Sequence, residues 1–86
     1  MTTIKVNDLF SLEVTKEDTY GYVGLFSKKQ NVMYSGYLST FMLLNTEIED
    51  VVHSLILCFK NHYNEDTLNI VEQKSILLLR DFYINE

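Results

Sequence analysis

The 86-residue sequence contains no proline, three glycines and a single cysteine. A lone cysteine cannot form an internal disulfide, so we expect a protein that is stabilised by its core and resides in a reducing compartment. No apolar run reaches the roughly 18 residues that a membrane span needs. The N-terminal MTTIKVNDLF also lacks the apolar segment of a secretory signal. These absences predict a soluble, cytoplasmic protein that does not bind a membrane.

Basic side chains are also scarce. Seven Lys and Arg stand against twelve Asp and Glu, which gives a net charge of −5 at pH 7. Proteins that bind nucleic acid through its phosphates normally carry the opposite balance, so direct binding of nucleic acid is not expected. Residues 1–43 carry four acids and four bases, whereas residues 44–86 carry eight acids and three bases. The length and the 47% hydrophobic content predict a single domain over residues 1–86.

The sequence shows no signature of catalysis, of a cofactor or of a metal site. Cys58 and His62 stand four apart on a predicted helix, but no glycine-rich oxyanion loop accompanies them. We favour a buried thiol beside Leu55 and a surface histidine. Asp50, His53 and His62 do not show the spacing of a closed metal site and are interpreted as solvated polar residues.

The first half of the chain predicts a β-hairpin. Segments 19–27 and 32–41 are rich in aromatic and β-branched residues, and the polar tetrapeptide 28–31 separates them. Closing the hairpin with Ser27 opposite Val32 predicts two faces. The face toward the helices holds Val23, Leu25, Val32, Tyr34 and Leu38, and the other holds Tyr20, Tyr22, Gly24, Phe26, Met33, Ser35, Tyr37 and Ser39. Residues 4–14 fit either a third strand or a short helix.

The second half predicts two helices, at about 47–62 and 66–84. Thr46 and Glu49 fit a capping box at the first start, and Asn64 or Asp66 fits the N-cap of the second helix; Asn64 also fits a left-handed cap that ends the first. Residues 76–79 are apolar all round their turn, so they are either buried or part of an interface. The expected fold is α+β, with a small antiparallel sheet packed against two C-terminal helices.

Acidic residues and tyrosines are the candidate partner-binding groups. The acids cluster at the two predicted helix N-termini, where they stabilise the helix dipole, and their excess either maintains solubility or attracts a basic cleft. The tyrosines share the second hairpin face with serine and glycine, which is typical of recognition surfaces, although another segment or a dimer mate could cover it. The candidate residues are Glu47, Glu49, Asp50, Asn64, Glu65, Asp66, Glu72, Tyr22 and Tyr37.

Residues 51–66 read VVHSLILCFKNHYNED. This segment resembles small phage-encoded anti-CRISPR proteins that block type II Cas9, in which a penultimate helix ends in a Phe-Lys-Asn, aromatic, Asn pattern followed by acidic residues. The N-terminal Asn7-Asp8-Leu9 is similar too. The pattern is carried here by Phe59, Lys60, Asn61, Tyr63, Asn64, Glu65 and Asp66.

The resemblance implies an α+β fold with a three-stranded antiparallel sheet and flanking helices. It also implies carboxylates that mimic DNA phosphates over the basic surface with which Cas9 reads its protospacer-adjacent motif. Glu65 and Asp66 are the matched acids, and Asn64 lies beside them. The family presents an acidic, glycine-containing hairpin loop, whereas this chain has Lys28-Lys29-Gln30-Asn31 there.

Two functions are compatible with these features. The first is a small acidic inhibitor, without enzymatic activity, that binds a host protein with a basic nucleic-acid-binding cleft, Cas9 among the candidates. In that case the chain acts in the host cytoplasm. The second is a homo-oligomeric structural or interaction module, in which the tyrosine face and residues 76–79 close a homodimer.

Overall fold

The computed structural model describes residues 1–39 and 44–84, in which four strands precede two helices. The strands form one antiparallel sheet in the order β1-β2-β3-β4, which is also their order in the chain. The elements are β1 (Thr2–Lys5), β2 (Phe10–Lys16), β3 (Gly21–Ser27), β4 (Val32–Leu38), α1 (Leu44–Leu57) and α2 (Glu65–Tyr83). The predicted α+β architecture is confirmed. The sheet has four strands instead of the three that the family resemblance implies.

The β3–β4 hairpin has the register that the sequence predicts, with Ser27 opposite Val32. Asn31 adopts a positive φ of 55° in the connecting turn, a conformation that asparagine tolerates better than most residues. The strands are shorter than the predicted segments. The N–H of Glu17 donates to the carbonyl of Tyr20 at 2.9 Å, so β3 begins only after this turn. Residues 40 and 41 lie outside the described residues.

The ambiguous segment 4–14 belongs to two strands, not to a helix. The side-chain oxygen of Asn7 accepts hydrogen bonds from the N–H groups of Leu9 and Phe10, both at 2.9 Å. Such a side-chain turn offers the backbone an alternative to helix formation. It reverses the chain so that β1 pairs with β2, with Ile4 opposite Leu12.

The first helix differs from its predicted boundaries at both ends. Since α1 already includes Leu44, Thr46 lies inside the helix, and the predicted capping box at that position is wrong. The helix ends at Leu57 instead of about residue 62. Beyond it, i→i−3 bonds such as that from the N–H of Phe59 to the carbonyl of Ile56, 3.0 Å, tighten the chain. We attribute this early end to the aromatic packing of Phe59, whose ring centroid lies 5.3 Å from that of Phe10.

The second helix begins where the sequence predicts. Asn64 is its N-cap, in an extended conformation with φ −74°, and its side chain accepts a hydrogen bond from the N–H of Thr67 at 2.8 Å. It is not a left-handed cap of α1. Neither helix in the part of the chain that the structure describes is long and apolar enough to cross a bilayer.

The two faces of the sheet have different environments. The inner face packs against the helices: Gly36 approaches Val51 of α1, and Gly21 approaches the ring of Tyr83 of α2. Its fully buried apolar side chains are Phe10, Leu12, Val14, Val23, Leu25 and Leu38. The opposite face, called here the open face, is directed away from these core positions. On β3 and β4 it carries Tyr22, Gly24, Phe26, Met33, Ser35 and Tyr37, and on β1 and β2 it carries polar residues such as Ser11, Glu13 and Thr15.

Two of the predicted inner-face residues are only partly covered. Val32 is 39% exposed and Tyr34 is 37% exposed, because β4 lies at the edge of the sheet. The apolar turn 76–79 is mostly inside the molecule: Ile76 and Leu79 are buried, and Leu77 is exposed. Ser75, the residue before this turn, is buried as well.

Candidate partner-binding surface

The fold brings four separate parts of the chain to one end of the molecule. Gly21, at the start of β3, pairs with Leu38, at the end of β4. The N–H of Ser39 donates to Glu47 near the start of α1 at 2.9 Å. The hydroxyl of Tyr83, at the end of α2, donates to the carbonyl of Thr15 in β2 at 2.6 Å. The turn between β2 and β3, the end of β4, the start of α1 and the end of α2 therefore share this end.

Negative charge is concentrated at this end, called here the acidic end. Among residues 1–39 and 44–84, the carboxylates at this end belong to Glu17, Asp18, Glu47, Glu49, Asp50 and Asp81, and the cationic side chains to Lys16 and Arg80. These six acids and two bases give a side-chain net charge of −4.

The opposite end, called here the lysine end, has the reverse balance. It contains the hairpin tip and the start of α2, which are held together by a 2.7 Å hydrogen bond between the hydroxyls of Ser27 and Tyr63. Three carboxylates stand against four lysines, which gives a net charge of +1. These groups belong to Asp8, Glu65, Asp66, Lys5, Lys28, Lys29 and Lys60. Part of the charge excess of the second half, from Glu47, Glu49, Asp50 and Asp81, thus joins Glu17 and Asp18 of the first half at one end.

The predicted acids of α1 have three different environments. Glu47 accepts hydrogen bonds from both the N–H and the hydroxyl of Ser39, at 2.9 and 3.3 Å, and so ties α1 to the end of β4. Glu49 forms an ion pair with Arg80 of α2. Asp50 is exposed and lines a groove of about 280 Å³ beside β4, together with Ser35, Gly36, Val51, Ser54 and Leu55.

Tyr22 and Tyr37, both predicted to contact a partner, lie side by side at the same end. They are opposite each other in β3 and β4, with ring centroids 5.6 Å apart. Tyr20 extends this group, since its ring centroid is 6.0 Å from that of Tyr37. Tyr20 and Tyr37 are 43% and 63% exposed. We call Tyr20, Tyr22 and Tyr37 the tyrosine cluster.

A glycine makes room beneath this cluster on the open face. A Cβ at Gly24 would lie 2.7 Å from the Sδ of Met33 and 3.3 Å from the hydroxyl oxygen of Tyr22. These two side chains therefore lie flat across the strand. Gly24 is buried although it faces away from the helices.

The remaining predicted residues lie elsewhere. Glu65 and Asp66 are exposed in the first turn of α2, where their charge complements the helix dipole. Glu65 lies about 22 Å along α2 from Arg80, the partner of Glu49, at roughly 1.5 Å of rise per residue. Glu72 is half-buried, with its carboxylate 3.2 Å from the Nδ1 atom of His53. The predicted acids therefore do not form a single surface.

A groove of about 350 Å³ lies between the end of α1 and the start of α2. Its polar lining includes the His53–Glu72 pair, Lys60 and Tyr63. Among residues 1–39 and 44–84, no group of three or more His, Cys, Asp or Glu side chains has the arrangement of a metal site.

Cys58 and His62 do not lie one turn apart on a helix, because α1 ends before both. The Cys58 thiol donates instead to the carbonyl of Ser54 at 3.4 Å. Cys58 is also exposed, so the expectation of a buried thiol is wrong. The neighbouring Phe59, not Cys58, is buried in the core.

Glu17 and Asp18 were not among the predicted candidates. They belong to the turn before β3, and only the three-dimensional arrangement places them beside the acids of α1. The hairpin register was a usable signal for Tyr20, because it assigns this residue to the face of Tyr22 and Tyr37. Nothing in the sequence relates residues 17 and 18 to residues 47–50.

Comparison of the chain with models of protein families, with curated proteins and with solved structures finds no match in any of the three. The function is therefore inferred from the geometry of the molecule.

Proposed function

We propose that this protein is an inhibitor without enzymatic activity that docks its acidic end into a basic, nucleic-acid-binding cleft of a host protein. The observation that carries the proposal is the end-to-end separation of charge, −4 at the acidic end against +1 at the lysine end. Negative charge spread evenly over a surface maintains solubility equally well. Charge gathered at one end also orients the molecule as it approaches a positive site.

The carboxylates supply the attraction. Glu17, Asp18 and Asp50 are exposed, and they occupy a turn and a helix that the sheet holds in fixed positions. Surface charges attract over a screening length of about 8 Å at physiological ionic strength. Binding should therefore weaken as salt increases, as it does for the phosphates that these carboxylates replace.

The tyrosine cluster supplies the adhesive contact. Tyrosine offers a large, rigid contact area with little loss of side-chain entropy, and it is enriched among residues that dominate binding energy. The arginines that line nucleic-acid sites can also stack on tyrosine rings. Tyr20 follows Asp18 by two residues, so attraction and adhesion act at the same place.

The first partner to test is type II Cas9, which the resemblance of residues 51–66 to anti-CRISPR proteins indicates. In this form of the proposal the protein is a partial DNA mimic encoded by a phage and acting in the cytoplasm of the host. The resemblance matches Glu65 and Asp66, whereas the charge separation favours Glu17 and Asp18. These two pairs can be compared directly, because each consists of adjacent, exposed acids.

The experiment compares Glu17→Lys/Asp18→Lys with Glu65→Lys/Asp66→Lys. Both double variants change the net charge from −5 to −1, so they differ only in position. Association with purified Cas9 bound to guide RNA is measured at low and high salt, together with cleavage of a target DNA duplex. We expect the variant at residues 17 and 18 to associate about tenfold more slowly at low salt, with little change for the other variant.

Thermal unfolding of both variants is the control. Each acid-to-lysine change in the first turn of α2 removes a favourable interaction with the helix dipole and adds an unfavourable one, each of about 0.3–1 kcal/mol, so the control must show that both variants are folded at the assay temperature. Equal loss of association in both variants would mean that total charge acts, not its position. Loss only in the variant at residues 65 and 66 would assign binding to the surface implied by the resemblance, and no effect on Cas9 would exclude that partner.

A further inference from the structure

The two edges of the sheet differ in how well they are protected against pairing with another chain. β1 is four residues long and carries Lys5, and short, charged edge strands resist such pairing. β4 is seven residues long, VMYSGYL, without a charged residue or a proline. Every second residue of an edge strand directs its N–H and C=O away from the sheet. Among the described residues, no strand pairs with this side of β4.

Two inner-face side chains of β4 are still partly exposed, so a neighbouring strand would bury them further. Val32 and Tyr34 are 39% and 37% exposed, although the equivalent positions of β3 are buried. Beside them lies the groove of about 280 Å³ between β4 and α1, lined by Asp50 and Ser54. A neighbouring strand would place its own inner-face side chains against this groove.

The charges around β4 indicate which molecule pairs with its free edge. Lys28 and Lys29 precede the strand, and Glu47 is bound to Ser39 directly after it. In an antiparallel pair, the beginning of one strand lies beside the end of the other. A second copy of this chain would thus bring its lysine end against the acidic end of the first, and two-fold symmetry repeats this contact at the other end of the interface.

We propose that the chain forms a two-fold symmetric homodimer through antiparallel pairing of β4 with β4 of a second copy. The two sheets join into one of eight strands. The helices of both copies lie on the same side, and the two open faces form one surface. Val32 and Tyr34 are buried at the junction. This assembly does not depend on the proposed inhibitory function, because it concerns the isolated protein.

Sedimentation velocity of the full chain over a wide range of concentration tests the proposal. We expect a concentration-dependent species of twice the 10.1 kDa mass of the chain. Ser35→Lys places a lysine in the middle of β4, where two copies would meet, and should weaken the dimer at least about tenfold by like-charge repulsion across the strands. Thr2→Lys adds the same charge to the other edge strand, β1, and should leave the dimer unchanged.

A second pair of variants tests the charge contacts even if Ser35→Lys disturbs the hairpin. Lys29→Glu and Glu47→Lys each set like charges against each other at both ends of the interface, so each alone should dimerise less than the unmodified chain. Mixed together, they restore opposite charges at both ends and should form a heterodimer. Thermal unfolding confirms that each variant is folded.

Four results would overturn the proposal. One is a monomer at every concentration. Another is equal behaviour of Ser35→Lys and Thr2→Lys. The third is a mixture of the two charge variants that dimerises no better than its components. Assemblies that grow beyond two copies would also contradict it, since a two-fold interface through one edge closes on itself.

Discussion

The two faces of the sheet are built from the same strands, but they differ in what holds their side chains. On β3, Leu25 is 1% exposed beneath the helices, while the adjacent Phe26 is half-buried on the open face. On β4, Leu38 is fully buried and the adjacent Tyr37 is 63% exposed. Antiparallel sheets that are covered on one side usually carry polar residues on the other. Here the β1 and β2 positions of the open face are polar, whereas its β3 and β4 positions include Tyr22, Phe26 and Tyr37. Exposed apolar patches of this kind are typical of interaction surfaces in general.

This comparison predicts a large difference in stability between substitutions on the two faces. Leu25→Ala should lower the free energy of unfolding by about 2–5 kcal/mol, because it removes buried apolar contacts and leaves a cavity. The matched substitution on the open face, Tyr37→Ala, should cost below about 1 kcal/mol, since only cross-strand contacts with other tyrosines are lost. Urea-induced unfolding measures both values.

The predicted difference between the two faces is wrong if both substitutions lower the free energy of unfolding by the same amount. In that case the open face would be covered in solution, and burial of Tyr37 would have to come from another copy or another molecule. Repeating the measurement at several protein concentrations separates these explanations, because only self-association makes the stability depend on concentration.

A smaller effect on stability is expected from removing a single hydroxyl, that of Tyr83, where α2 contacts the sheet. The hydroxyl oxygen of Tyr83 lies 2.6 Å from the carbonyl oxygen of Thr15 and 3.0 Å from that of Tyr22, and its ring lies against Gly21. Tyr83→Phe keeps the ring and removes the hydroxyl. We expect a loss of about 1–2 kcal/mol in the free energy of unfolding, because a buried hydrogen bond is removed and its acceptors lose their partner.

The same hydroxyl predicts a dependence on alkaline pH. Burial raises the pKa of Tyr83 to about 12, against an ordinary value of about 10 in the unfolded chain. Between these values the unfolded chain has released a proton that the folded protein still holds, so stability falls as pH rises through this window. Tyr83→Phe lacks this contribution, and the other five tyrosines are common to both proteins. The stability difference between them should therefore shrink from pH 10 toward about pH 12; a constant difference would contradict the prediction.

Much of the fold could be predicted because it follows from local pattern. The alternation of residues on β3 and β4 sets the hairpin register, and the side chain of Asn64 begins α2. The end of α1 could not be predicted, because helical spacing continues past Leu57 in the sequence. We attribute the early end of the helix to contacts between the rings of Phe59 and Phe10, which lie far apart in the chain.

The candidate surface was less predictable. Tyr22 and Tyr37 follow from the register, but the acids were grouped by their nearness in sequence. Glu49 is paired with Arg80, and Glu72 lies within hydrogen-bonding distance of His53, so neither is available in the way the sequence indicates. Glu17 and Asp18 join the acidic end only through the topology of the sheet. Which charged residues come together depends on which ends of the strands and helices lie side by side in the fold, and no local sequence pattern encodes that.

The smallest effect is expected at the glycine beneath the open face. In Gly24→Ala, the new Cβ would lie 2.7 Å from the Sδ of Met33, which is the far end of a flexible side chain and can move away. Replacing glycine in a strand also lowers the entropy of the unfolded chain, which favours folding by about 0.4–1 kcal/mol. The two effects oppose each other, so stability should change by less than about 1 kcal/mol.

In the same variant, the displaced Met33 should alter the position of Tyr22, because the Tyr22 hydroxyl lies 4.0 Å from the Met33 sulfur. NMR chemical shifts of the tyrosine cluster would report this change. A loss of stability in Gly24→Ala comparable to that of Leu25→Ala would show that the open face is packed as rigidly as the inner face. That result would contradict the predicted difference between the two faces.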